Sequence, residues 1–219
     1  MLELKFHEYC ATKNPKYLVI FLHGYGANGE NLIGLAPEFK RILPDAHFIS
    51  PNAIQDFEGG FPNAFQWFSL YGGIERKSLD SISGDIKNSN KILADFISDQ
   101  LTRFNLAADK LFLVGFSQGA MMAIYQGLIA KEKPAGVIAY SGRVILPEML
   151  GAQTISKPDI CLIHGEADSV VPFTNFLEGK EILHENKIPF EAFSFAHLDH
   201  SIDFNGVKTA QKFIKKLVS

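Results

Sequence analysis

Short, continuously apolar and β-branched runs alternate along the chain with longer segments of helical spacing. The runs are Tyr17 to Leu22, Ala46 to Ser50, Leu111 to Gly115, Gly136 to Ser141, Ile160 to His164 and Phe190 to Phe195. Runs this short with no polar face suit strands covered on both sides. Residues 2–9 alternate instead, as an edge strand does. Between the runs, Ile82, Ile86, Leu93, Phe96, Ile97 and Leu101 fall on one face of a long helix, and Val207, Ala210, Phe213, Ile214 and Leu217 do the same near the C-terminus. Alternating strands and helices predict right-handed crossovers and an α/β architecture: a mainly parallel central sheet of about seven strands, helices on both faces. Ligands of such sheets lie outside the C-terminal strand ends, so chemistry is to be sought in the loops after each apolar run. No repeat, low-complexity tract or linker divides the chain, and residues 1–219 read as a single domain.

Pro51 to Ser78 breaks the pattern. It has no sustained helical period and no clear strand, yet it holds Phe57, Phe61, Phe65, Trp67, Phe68 and Tyr71, which is too aromatic for disorder. It reads as an irregular, packed excursion over the C-terminal edge of the sheet. The chain has 19 Phe against 6 Tyr and 1 Trp. Phe21, Phe96, Phe112 and Phe213 belong to core elements, whereas four others crowd into this excursion. Part of that cluster is expected to line an apolar site, with Phe57, Phe61 and Trp67 as the candidate substrate contacts.

Charge narrows the functional classes. Lys plus Arg number 21 and Asp plus Glu 24, a net charge of −3, so no basic surface for nucleic acid or anionic membrane is indicated. The two cysteines, Cys10 and Cys161, make neither a disulfide framework nor a metal site. The first residues lack a basic and then apolar leader, and no integral membrane segment of ~18 apolar residues occurs, so a soluble cytoplasmic protein is expected.

After the run Leu111 to Gly115 comes Gly115-Phe116-Ser117-Gln118-Gly119, then a helical pattern from Ala120. A Gly-x-Ser-x-Gly between strand and helix is a nucleophile elbow, a strained turn that lifts the serine hydroxyl clear of the sheet. Such a serine needs a base, and the base needs an orienting carboxylate, in the order Ser, Asp or Glu, His. Asp168 sits in the loop after Ile160 to His164 and is favoured over its competitor Glu166, which follows the Gly165 turn at once. Of seven histidines, His197 and His200 follow the last strand; His200, at the junction with the C-terminal helix, is favoured. The oxyanion of an acyl-transfer intermediate needs donors. One is the backbone N–H of Gln118, and another comes from the loop Leu22-His23-Gly24-Tyr25-Gly26.

With these stations in order, the chain resembles the phospholipase/carboxylesterase family of α/β-hydrolases, which includes acyl-protein thioesterases and bacterial carboxylesterases. The resemblance runs through residues 21–37, 50–53, 66–68, 115–120 (GFSQGA), 164–172 (HGEADSVVP) and 200–202. It implies an α/β-hydrolase fold, Ser117 as nucleophile with Asp168 and His200, and an oxyanion hole from the N–H groups of Tyr25 and Gln118. It implies activity on acyl esters or thioesters, no cofactor or metal, and often a homodimer. Three positions depart from the family pattern: Tyr25 stands where Leu is common, Ser69 where Asp usually follows Trp-Phe, and Asp199 where Gly commonly precedes the histidine. Asp199 puts a second carboxylate beside His200, favouring its charged form. Arg143, at the same sheet edge, is a candidate for offsetting that charge or binding an acidic substrate group. Competing readings are a peptidase or lactone hydrolase of the same fold, and a non-catalytic binding protein built on it.

Overall fold

The computed structural model describes residues 4–10, 12, 14–72, 75–78, 80–150 and 156–219. In chain order the elements are β1 (Phe6–Cys10), β2 (Tyr17–Leu22), α1 (Gly29–Ile33), α2 (Ala36–Lys40), β3 (Ala46–Pro51), the two-residue strands β4 (Gln55–Asp56), β5 (Phe65–Gln66), β6 (Tyr71–Gly72) and β7 (Glu75–Arg76), then α3 (Ser83–Phe104), β8 (Leu111–Phe116), α4 (Gln118–Ile129), β9 (Gly136–Tyr140), β10 (Ile160–Gly165), α5 (Phe173–Glu185), β11 (Phe190–Phe195) and α6 (Phe204–Val218). Seven strands form the central sheet in the order β1-β3-β2-β8-β9-β10-β11. Only β1 runs antiparallel, against β3 at the sheet edge. The edge strand begins at Phe6 rather than Leu2 and continues to Cys10; residues 2 and 3 lie outside the described residues.

Successive residues of a strand point to opposite faces, and the core divides accordingly. Leu18, Ile20, Leu111, Leu113, Val137 and Leu162 pack with Ile86, Leu93 and Ile97 of α3, Ile124 and Leu128 of α4 and Phe176 of α5. Val19, Phe21, Phe112, Val114, Ile138 and Ile163 pack on the other side with Phe39, Ala210, Phe213 and Ile214. That double covering is why the strands read as unbroken apolar runs. The order of strands reverses at β2, whose neighbours are β3 and β8. Leu22 at the end of β2 pairs with Gly115 near the end of β8, so the loops after these two strands emerge side by side.

The excursion is less irregular than its sequence suggests. β4 pairs with β5 and β6 with β7, each as an antiparallel ladder of two residues per strand; residues 73 and 74 lie outside the described residues. Its aromatics separate into two sets. Trp67 and Phe68 sink into the main core with no exposed surface, while Phe61 is 70% exposed.

Candidate active site

β8 delivers Ser117 into a backbone conformation of φ 53° and ψ −117°, left-handed for a residue with a Cβ. Such strain persists only where neighbours hold it. The Ser117 N–H donates to Tyr140 O at 2.9 Å, and its carbonyl accepts from Met121 N at 3.1 Å. The flanking glycines are obligatory: a Cβ at Gly115 would lie 2.3 Å from Gly119 O, and one at Gly119 would lie 1.9 Å from Leu22 O. Close packing of α4 on the end of β2 thus explains the motif.

Asp168 and His200 come from the loops after β10 and β11. Its side chain has no exposed surface, and both oxygens of Asp168 accept hydrogen bonds. Oδ1 accepts from the N–H groups of Val170 (2.9 Å) and Val171 (2.8 Å), and Oδ2 from His200 Nδ1 at 2.7 Å. With the proton on Nδ1, Nε2 is the basic nitrogen of His200. The His200 ring lies 4.8 Å from that of Phe116, the residue before Ser117. The two loops touch so closely that a Cβ at Gly165 would meet Leu198 O at 2.1 Å. The competitors point elsewhere: Glu166 accepts from Ser194 Oγ at 2.7 Å, and His197 is exposed. The Asp199 carboxylate accepts from Ser201 Oγ at 2.6 Å.

The loop after β2 lies against the elbow, since a Cβ on Gly24 would be 3.4 Å from Ser117 Cβ. His23 braces it from inside. Ala53 N donates to His23 Nε2 at 2.9 Å, so the proton sits on Nδ1, which donates to Gly24 O at 2.8 Å. Burial lowers the His23 pKa to about 4, against the smaller opposing effect of the Gly24 carbonyl. Gln118 is the first residue of α4, where a backbone N–H has no acceptor within the helix. Among the described residues, no cluster of His, Cys, Asp and Glu is arranged to hold a metal ion.

A sequence profile of the family described as phospholipase/carboxylesterase matches residues 8–218. The chain belongs to the phospholipase/carboxylesterase family. Acyl-protein thioesterase 1 of Neurospora crassa is 26% identical over 209 residues, which is 90% of this chain and 84% of that protein. Esterase YpfH of Escherichia coli (strain K12) is 26% identical over 182 residues, 81% and 74% of the two chains. The crystal structure of esterase PE8 superposes with a TM-score of 0.92 at 33% identity, covering 99% of this chain and 100% of that one. Membership places the protein among hydrolases of carboxylic esters, on the α/β-hydrolase fold.

Within this family frame the remaining candidate residues occupy different places. Phe57 meets Tyr25 edge-on at 4.8 Å and stacks on Phe61 at 6.1 Å, beside the loop after β2. Trp67 departs from the expectation of a substrate contact. It is wholly enclosed, and its Nε1–H donates to His23 O at 2.9 Å, which braces the loop after β2. Arg143 turns its Nε inward, where it is buried without a protein partner beside His164 and Phe176.

Sequence reasoning missed three side chains. Gln118, singled out for its backbone, also accepts from Trp67 N at 2.8 Å and donates to Phe68 O at 2.7 Å through its side chain. Glu58 accepts from the Tyr25 hydroxyl, from Ser69 Oγ at 2.6 Å and from Leu70 N at 2.8 Å. Burial raises the Glu58 pKa, but these donors outweigh it and hold the carboxyl below its ordinary value. Tyr25, desolvated and facing that carboxylate, is shifted upward. Two of the departures from the family pattern, Tyr25 and Ser69, therefore meet on one residue. The third, His164, carried one signal in the sequence: it precedes Asp168 by four residues.

Proposed function

We propose that the protein is a serine hydrolase cleaving acyl esters and thioesters through an acyl-enzyme on Ser117. The Ser117 hydroxyl attacks the acyl carbonyl while His200 Nε2 takes its proton, and Asp168 fixes the tautomer and stabilises the imidazolium that forms. The N–H groups of Tyr25 and Gln118 receive the oxyanion. His200 then protonates the departing alkoxide or thiolate, and water activated by the same ring releases the acid and frees the serine. The observation that carries this reading is the 2.7 Å contact from His200 Nδ1 to a fully buried Asp168, on loops that abut a strained serine turn. The thioester half of the proposal draws on the acyl-protein thioesterases among its relatives.

Phe57 and Phe61 form the acyl-facing wall in this proposal, with Phe61 at its solvent end. No helix among the described residues is long and apolar enough to cross a membrane, and the buried free thiol of Cys161 suits a reducing cytoplasmic setting. A fluorophosphonate probe should label the protein at Ser117. Ser117→Ala should abolish labelling and lower kcat/KM for a nitrophenyl acyl ester by about 10³-fold or more; full activity in that variant would overturn the mechanism.

A further inference from the structure

His164 is the penultimate residue of β10, with 1% of its surface exposed. Its Nε2 lies 2.9 Å from Val171 O and 3.4 Å from Asp168 Oδ2. A carbonyl oxygen only accepts, so Nε2 carries the proton and donates it to Val171 O, while the Asp168 carboxylate lies close by without a hydrogen bond to it. The same Val171 donates its N–H to Asp168 Oδ1 at 2.8 Å. Burial lowers the pKa of this ring more than the Val171 carbonyl and Asp168 raise it, which keeps it neutral. Nδ1 is then a bare acceptor. The ring borders a cavity of about 10 Å³ that is also lined by Arg143, Asn175 and Phe176. That is the room one water needs. Arg143 Nε, a buried donor without a protein partner, belongs to the same lining.

We propose that His164 is a positioning residue for the Ser117 reaction: its Nε2–H holds the Val171 carbonyl and so the turn whose N–H groups hold Asp168 Oδ1, and a single water in the adjoining cavity joins its Nδ1 to Arg143 Nε–H. Asp168 Oδ2 accepts from His200 Nδ1, while Oδ1 accepts from the N–H groups of Val170 and Val171. Loss of the Nε2–H frees the Val171 turn, and with it the N–H groups that hold Asp168 Oδ1, so the carboxylate shifts from the imidazole it orients. Arg143 acts at the far end of this chain, through water and His164, rather than on a substrate group. The proposal rests on the acyl-enzyme reading, and the test separates the two.

Active sites are counted by fluorophosphonate titration, and kcat is expressed per titrated serine. His164→Phe should lower that kcat roughly ten- to a hundredfold, as a misplaced catalytic group does, with KM within about twofold. His164→Gln, whose amide restores a donor at the Nε2 position, should recover kcat to within about threefold of wild type. His164→Met is a second donor-free replacement should the Phe variant not fold. Arg143→Met should lower kcat about threefold and add nothing to His164→Phe in the double variant. An unchanged kcat per titrated serine in the donor-free variants, or Gln no better than Phe, overturns the role of His164. Arg143→Met that raises KM at constant kcat overturns the water link and returns Arg143 to substrate binding. Wild-type protein that takes up no fluorophosphonate overturns the acyl-enzyme reading itself, whereas labelled wild type with fully active His164→Phe removes this proposal alone.

Discussion

The loops that carry Ser117, Asp168 and His200 leave directly from the ends of β8, β10 and β11, whereas the loop that carries Tyr25 leans on an excursion with almost no regular structure. In the first region strand register does the placing: Phe116 pairs with Tyr140, and Gly165 with Phe195, so each loop starts at a fixed height. In the second, polar side chains and isolated backbone bonds do it. Gly26 N donates to Phe65 O (2.9 Å) and Phe65 N to Ala27 O (2.8 Å), while Gln118, His23, Asn28 and Glu58 reach across to backbone groups. Ser89 of α3 adds a hydrogen bond to Trp67 O. Substitution in the strand-borne region should therefore change chemistry more than folding, and in the stitched region folding at least as much as chemistry.

The largest effect is expected in the strand-borne region. Asp168→Asn should lower kcat by about 10³- to 10⁴-fold, because an amide favours the wrong His200 tautomer, with only a small change in unfolding midpoint. Steady-state kinetics and urea unfolding on one preparation check it. A variant that fails to fold would remove the contrast between the regions.

The stitched region should show itself next, as pH-dependent stability. His23 is held at a pKa of about 4 in the folded protein against 6.5 as its reference. The unfolded chain therefore binds the proton more readily. The contribution of His23 is fully present above pH 6.5 and is lost as pH falls through 6.5 towards 4, by about 3 kcal/mol. His164, also lowered, acts in the same direction. Urea unfolding at pH 7 and pH 4 should lose about that much less stability in His23→Gln than in wild type, and equal losses would remove the argument.

Gln118→Ala should follow, at about 2–3 kcal/mol of unfolding free energy, since it strands Trp67 N and Phe68 O in the interior without partners. Its backbone N–H remains, so kcat per titrated serine should change less than fivefold or so. A large kcat loss with little loss of stability would mean that the stitching serves chemistry after all.

Legibility follows the same division. A strand buried on both faces writes itself as an apolar run, and the residues proposed as nucleophile, orienting carboxylate and base follow such runs; Ser117, Asp168 and His200 could be singled out on that basis, and Glu166 and His197 set aside by their places within the loops. The excursion writes no period. Trp67 is bonded to Gln118, 51 residues away, and to His23, 44 residues away, and no local pattern announces either bond. Composition showed an aromatic cluster but could not separate a brace such as Trp67 from a surface ring such as Phe61. Arg143 illustrates the same limit, because its place at the sheet edge was readable while the inward turn of its Nε was not.

The smallest predicted effect tests whether the outer part of the stitched region touches substrate. Phe57 fills the space over Gly26 and Gly59, where a Cβ would lie 3.2 Å and 2.3 Å from its ring, and Phe61 stacks on its outer face. Replacing both with Ala removes apolar surface that is already partly in water, so the loss of binding energy for a long acyl chain should be modest. Relative kcat/KM over acyl esters of two to sixteen carbons should fall about fivefold at the long end and stay level at the short end. An equal fall at every length would mean that the pair only positions Tyr25, whose ring rests edge-on against Phe57. No fall at any length would make Phe57 and Phe61 packing for the loop and leave the acyl wall to other residues.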